Sequence, residues 1–281
     1  RHELGAVELL VEGLIHGGVV AAHQHRAVAV AFKVAQRGHQ EFRIEGDHQT
    51  KKLVFSGDLG RYHDPILHPP TRIPNADIIW IESTYGDRTA PNSKPEDELG
   101  RAIRDIFDRD GIAIIPSFAV GRTQLLMYHL YQLMEKGKIP KVPIFVDSPM
   151  AIDATRLYLD FHQDHRLSAM LEEDDKHAFK HPQLRYFQKQ EQSMSLNEYR
   201  GKAIIISASG MATGGRVLHH LFHHLPEEKN GIIIVGYQAE GTRGRRILEG
   251  EPTIRIYGND VPEKAKEYQN EGLSAHADQY E

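Results

Sequence analysis

The stretch GIAIIPSFAVGRTQLLMYHLYQLMEKG, residues 111–137, decides the fold. Its first six residues are apolar, three of them β-branched isoleucines, which suits a strand covered on both faces. A polar turn with Gly121 follows. The run from Gly121 to Gly137 then repeats apolar residues at helical spacing and stops at a glycine. Strand, turn and helix fit into 27 residues, the size of half a βαβ unit.

The same alternation extends in both directions. Upstream, ADIIWIEST (76–84) is a short apolar run that predicts a buried strand. PEDELGRAIRDIFDRDG (95–111) predicts a helix with Leu99, Ile103, Ile106 and Phe107 on one face, acids in its first turn and Gly111 at its end. Downstream come strand KVPIFVDSP, helix MAIDATRLYLDFHQD, a polar and less clear region from 164 to 200, then strand KAIIISAS, helix GGRVLHHLFHHL, strand GIIIVGY, helix GTRGRRILEG and strand TIRIYG. Strands alternating with helices of this length predict a mainly parallel sheet covered on both faces. Ligand sites in such sheets gather at the carboxyl ends of the strands. SFAVGR, SASGMATGGR and GYQAEGTRGRR are the glycine-containing turns that fall there.

The first 50 residues differ. EFRIEGDHQTKKLVFSGD (41–58) reads as a hairpin, with Phe42 and Ile44 alternating and Leu53–Phe55 returning. Upstream of it, Ala, Val, Gly and His recur without caps or a sustained period, so residues 1–40 receive no assignment. The most apolar part, GLIHGGVVAAHQHRAVAVAFKVA (13–35), carries three His, Arg26 and Lys33, too polar for a lipid-facing helix. It also lacks the order of basic start, apolar run and cleavage site of a secretory signal, so the expected compartment is the cytoplasm.

Composition narrows the chemistry. A net charge of −5 over 281 residues gives no global basic field for nucleic acid, although a local patch remains open. With no Cys and 18 His, any transition-metal site must use imidazole and carboxylate ligands. Asp58 in LVFSGDLGR follows a strand and a tight Gly turn, a place where a carboxylate can meet a metal. Glu82, Ser83 and Thr84 end the next strand. SGMATGGR precedes a helix, whose free N–H groups could hold a phosphate. Arg122, Arg216, Arg243, Arg245 and Arg246 could make a local positive surface. LHHLFHHL sets His219 with His223, and His220 with His224, at metal-ligand spacing, although an ordinary amphipathic face is the favoured reading.

SGDLGR, ESTYGDR, IIPSFAVGRTQ, DSPMA, SASGMATGGRVLHHL, GYQAEGTRGR and LSAHAD occur in this order. The series closely resembles the metallo-β-lactamase-fold nucleases of the β-CASP group, over roughly residues 41–281. The resemblance implies an α/β fold: a metallo-β-lactamase αββα domain, incomplete here, with an inserted parallel β-CASP domain. Residues 41–88 are then part of the metallo-β-lactamase domain, 89–258 the β-CASP domain, and 259–281 the return to the first domain. The activity implied is zinc-dependent hydrolysis of RNA phosphodiester bonds, exonucleolytic, endonucleolytic or both, with two zinc ions as cofactor and single-stranded RNA as partner. No membrane is expected, and a homodimer is left open.

Carried over, the resemblance makes Asp58 the carboxylate that bridges the metals. Glu82 becomes the acid that orients a site histidine. His276 is the imidazole at the scissile phosphate, Ser274 a phosphate donor beside it, and Ser209, Gly210 and Arg216 substrate-binding residues. Two departures stand out. One lies in the zinc ligands before the hairpin: the family's His-x-His-x-Asp-His motif has only a partial echo in His23 and His25 of HQHRAV, and its separate Gly-His ligand only an echo in His39 of RGHQEF. The ligand in its later His-Gly-Glu turn has no counterpart. The expectation is therefore a fragment whose own activity is doubtful, and the rival reading is a catalytically inactive RNA-binding fragment without the zinc site. A small-ester hydrolase of the same fold is a weaker rival, because the β-CASP insertion covers a nucleic-acid channel in the family.

Overall fold

The computed structural model describes residues 29–34, 40–45, 50–89, 94–167, 177–274 and 276–280. These fall into two compact units. One holds the residues up to Asp64, His68–Thr89 and the stretch from His276 on; the other holds Pro65–Leu67 and the described residues from 94 to 274.

The first unit is built on a four-stranded sheet in the order β1-β2-β3-β4. Its strands are β1 (Ala29–Val34), β2 (Gln40–Glu45), β3 (Thr50–Phe55) and β4 (Ile78–Trp80). β2 and β3 pair antiparallel, Gln40 opposite Phe55 and Glu45 opposite Thr50, which is the hairpin expected from the alternation. β1 extends that sheet from within the span that the sequence left unassigned. β4 runs parallel to β3, Leu53 opposite Ile78 and Phe55 opposite Trp80. The burial expected for β4 does not hold: Ile78, Ile79 and Trp80 are exposed. An apolar run signals a strand with two covered faces, but β4 is the last strand of this sheet, and the described residues of this unit contain no helix to lie over it.

The second unit is a three-layer α/β domain. Its six strands run in the order β12-β9-β5-β8-β6-β7, and every pairing is parallel. They are β5 (Ile112–Pro116), β6 (Ile144–Val146), β7 (Leu184–Tyr186), β8 (Ala203–Ser207), β9 (Gly231–Val235) and β12 (Lys266–Asn270). Between them lie α1 (Pro95–Asp108), α2 (Arg122–Glu135), α3 (Pro149–Asp160), α4 (Gln190–Ser195), α5 (Val217–His224) and α6 (Arg243–Leu248). Side chains alternate across a strand, so each strand feeds two cores. Ala113, Ile115, Ile204, Ile206, Ile233 and Val235 pack with α1, α2 and α3 on one face. Ile112, Ile114, Ile205, Ile232 and Ile234 pack with α5 and α6 on the other. Burial on both faces is why these strands read as unbroken apolar runs.

Two strands depart from the expected pattern. TIRIYG does not join the parallel sheet. Its residues form β10 (Thr253–Ile256), which turns back as an antiparallel pair with β11 (Asn259–Pro262), and Ile254 and Ile256 cap the second core. Past the boundary drawn at 258, β12 pairs with β9 and extends the parallel sheet. Among the described residues no helix is long and apolar enough to cross a membrane.

Candidate active site

In the first unit, the parallel pairing of β3 and β4 puts two carboxylates at neighbouring strand ends. Asp58 lies three residues after Phe55 and Glu82 two after Trp80. The turn is pinned from both sides. The Ser56 N–H donates to the Trp80 carbonyl (2.9 Å), and the Glu82 N–H donates to the Ser56 hydroxyl (3.0 Å). The Glu82 carboxylate then accepts from the Leu59 N–H at 2.6 Å.

His276 reaches this group through the chain's last described stretch. It forms an isolated antiparallel bridge with Gly60, and the Ala277 N–H donates to the Leu59 carbonyl (2.8 Å). Its Nδ1 sits 3.0 Å from each oxygen of Glu82. Burial of Glu82 works against its charge, but hydrogen bonds from Thr84, His276 and the Leu59 N–H outweigh it and hold the carboxyl below its ordinary value. Tyr85, buried, presents its ring edge-on to the imidazole with centroids 6.1 Å apart. Arg88 lies over that same ring, 5.3 Å from its centroid. Thr84 was named in the sequence only as a strand end, and Tyr85 was not singled out. Their signal was adjacency to Glu82 in ESTYGDR.

Ligand atoms of Asp58, Glu82 and His276 all lie within 4.8 Å of one another. Two carboxylates and one imidazole form a donor set that suits zinc. Three groups can hold one ion; the donors for a second are not among the described residues. His23, His25 and His39 lie outside those residues.

The remaining expected residues belong to the second unit. Ser274 is buried just after the 3-10 turn Glu271–Leu273. Ser209, Gly210 and Arg216 lie together after β8, in the loop that leads to α5. The Ser209 hydroxyl accepts from the Thr213 and Gly214 N–H groups at 3.1 and 3.4 Å. Gly215 has φ +80, and a Cβ there would meet the Ala208 carbonyl oxygen at 2.4 Å, so the loop closes tightly on itself. The Arg216 guanidinium points inward, to Asp147 at 2.7 Å and to the carbonyls of Phe187 and Gln188.

Asp147 is the centre of that network. Fully buried, it also accepts from the Ser193 hydroxyl (2.5 Å) and faces His220 Nε2 at 2.7 Å. Burial opposes its charge, yet hydrogen bonds from His220, Ser193 and Arg216 hold the carboxyl below its ordinary value. His220 and His224 are therefore core residues, and only His219 and His223 of LHHLFHHL are exposed. The expected positive surface is likewise thinner than the arginine count suggests. Arg216 pairs with Asp147, Arg245 with Glu249 and Arg246 with Glu251.

Comparison with known proteins bears on both units. The β-CASP domain family model matches residues 123–247, the span that carries α2 to α6. The chain carries a β-CASP domain. A ribonuclease of Thermus thermophilus, TTHA0252, is 35% identical over 267 residues, which cover 91% of this chain and 60% of that protein. An RNase J-like protein of Methanocaldococcus jannaschii is 33% identical over 259 residues, 89% of this chain and 58% of the relative. The transcription termination factor FttA of the same organism is 34% identical over 241 residues, 80% of this chain and 37% of its own length. The chain thus spans 60% or less of each of these β-CASP relatives.

Proposed function

We propose that this chain is part of a zinc-dependent β-CASP ribonuclease, and that Asp58, Glu82 and His276 form the edge of its hydrolytic site. The carrying observation is the His276–Glu82 pair at 3.0 Å, in a group whose three ligand atoms lie within 4.8 Å of one another. Ribonuclease relatives support RNA as the substrate class. Single-stranded RNA is the form we assign, because a phosphate reaches such a group most readily on an unpaired strand.

Glu82 accepts from Nδ1–H and so fixes the ring's orientation and tautomer. Nε2 is then the nitrogen we assign to the phosphate. When the ring is the imidazolium, Nε2 gives its proton to the leaving oxygen as the phosphodiester bond breaks and the ring is left as the Nδ1–H tautomer, a contribution on the order of 10²–10⁴-fold. Asp58, with Glu82 and His276 beside it, would hold zinc, which when bound polarises phosphate and lowers the pKa of water. In the second unit, Ser209 and Gly210 offer a hydroxyl and main-chain groups for a phosphate. Arg216 acts on that loop indirectly, by tying it to Asp147. Ser274 is assigned to phosphate binding on the family's pattern alone.

Zinc titration of the 281-residue chain, followed by binding and cleavage of a labelled single-stranded RNA, tests this reading. One zinc, lost in Asp58→Ala, together with RNA binding supports it. RNA binding without any zinc would favour an inactive RNA-binding chain instead.

A further inference from the structure

We propose that Phe118 and Tyr237 form a base-stacking platform for single-stranded RNA at the carboxyl edge of the six-stranded sheet. The proposal rests on the RNA reading above and adds the residues that grip the bases.

Phe118 and Tyr237 are both 44% exposed, although each directly follows a fully buried strand. β5 and β9 are neighbours in parallel register, Ile114 opposite Ile232, so both residues leave the sheet at the same edge. The loop after β8, the neighbour of β5 on its other side, touches Phe118 through Gly210 and is bonded to Gln238, the residue after Tyr237. A Cβ on Gly210 would sit 2.7 Å from Phe118 Cδ2, so the ring rests on the bare glycine backbone. Gln238, buried, donates from Nε2 to the carbonyls of Gly210 and Tyr237, at 3.1 Å each. One amide therefore ties the Tyr237 main chain to the glycine on which the Phe118 ring rests. A Cβ on Gly244 would meet Gln238 Oε1 at 1.7 Å, so α6 backs the amide in turn.

The occupant follows from the charge on the same loop as Gly210. Arg243, next to Gly244, donates to the carbonyls of Arg255, Ala212 and Thr213 and forms no ion pair among the described residues. Its charge therefore remains available to an anion at the loop that carries Gly210. The acid of this turn, Glu240, acts on Arg245 instead. Two exposed rings at neighbouring strand ends, with an unneutralised guanidinium on the loop that carries Gly210, match a polymer of flat bases on a phosphate backbone. A flat apolar protein partner would leave that charge buried without a partner.

The test compares a ten-nucleotide single-stranded RNA with an abasic ribose-phosphate oligomer of equal length, by fluorescence anisotropy on the full chain. Stacking one base on an aromatic ring supports a loss of about 5- to 100-fold when the ring is removed. Phe118→Leu and Tyr237→Leu should each weaken RNA binding by about that factor, while Tyr237→Phe binds RNA as the unchanged chain does. Abasic-oligomer affinity should be the same in all four proteins. Unchanged RNA affinity in both leucine variants, or equal losses on both oligomers, overturns the platform and leaves the RNA reading standing. An unchanged chain that binds no RNA overturns both.

Discussion

Nδ1 of His276 lies 3.0 Å from both carboxylate oxygens of Glu82, a residue 194 positions earlier in the chain. Such a contact, made across so much sequence and held by strand-end hydrogen bonds on both sides, sets the orientation of the imidazole. The account's predictions follow from this pair and from the network around Asp147.

Asp147 is buried with three hydrogen-bonding partners, two of them cationic or able to become so. Removing one partner of a buried ion pair costs about 3–5 kcal/mol, because the other charge stays buried and unpaired. Asp147→Ala should therefore lower the melting temperature of the second unit by roughly 6–20 °C. Differential scanning calorimetry checks this, and a shift under about 2 °C would mean that Arg216 finds water instead.

Gly215→Ala strikes the loop rather than the core. Both its φ of +80 and the 2.4 Å approach of a Cβ to the Ala208 carbonyl oxygen oppose any side chain. Backbone strain of this kind costs on the order of 1–3 kcal/mol. RNA affinity should fall along with stability, because the displaced loop carries Ser209 and Gly210. Wild-type RNA affinity in this variant would separate the loop from binding.

Glu263 gives a pH signature. Its oxygens are buried without a hydrogen-bond partner among the described residues, and burial, helped by Glu267 and Glu251, pushes its carboxyl from 4.5 up to about 8. The folded chain then keeps a proton that the unfolded chain releases, so stability falls as pH rises from about 4.5 and levels off above about 8. Glu263→Gln removes this loss. It should raise the melting temperature at pH 8 and leave it nearly unchanged at pH 4. Equal effects at the two values would rule out titration of Glu263 as the cause.

Much of the second unit was legible because its strands obey one rule. A strand buried on both faces must be apolar throughout, and IAIIP, AIIIS and GIIIV are. Edge strands escape that rule. β12, with Lys266, Glu267 and Gln269 exposed, looks like loop, and β7 is only three residues long. β4 shows the converse error, an apolar run left exposed. The site was readable in part, since Asp58 and Glu82 each follow a recognisable strand. Their meeting with His276 was legible only through the family resemblance, because residues 194 apart share no local pattern. The inward turn of Arg216 was equally hidden, since an arginine after a Gly-rich turn has the same sequence whether it faces solvent or a buried aspartate.

Metal stoichiometry follows from the donor count. Asp58, Glu82 and His276 supply one imidazole and two carboxylates within 4.8 Å. The 281-residue chain should bind at most one zinc and cleave RNA negligibly. Elemental analysis of the washed protein checks this; two retained zinc ions would mean that further ligands come from residues outside those described.

The most direct test of the central claim supplies the parts of the Thermus thermophilus ribonuclease that lie outside the matched region and measures both zinc content and cleavage of single-stranded RNA. With further zinc donors brought by the supplied parts and both ring nitrogens of His276 engaged by Glu82 and the phosphate, His276→Ala should lose about 10²–10⁴-fold in cleavage while zinc content stays nearly unchanged, and Glu82→Gln should fall between that variant and the parent. Asp58→Ala should lose zinc and cleavage together. Near-normal cleavage by His276→Ala, with zinc in place, would contradict the assignment of the imidazole to the phosphate.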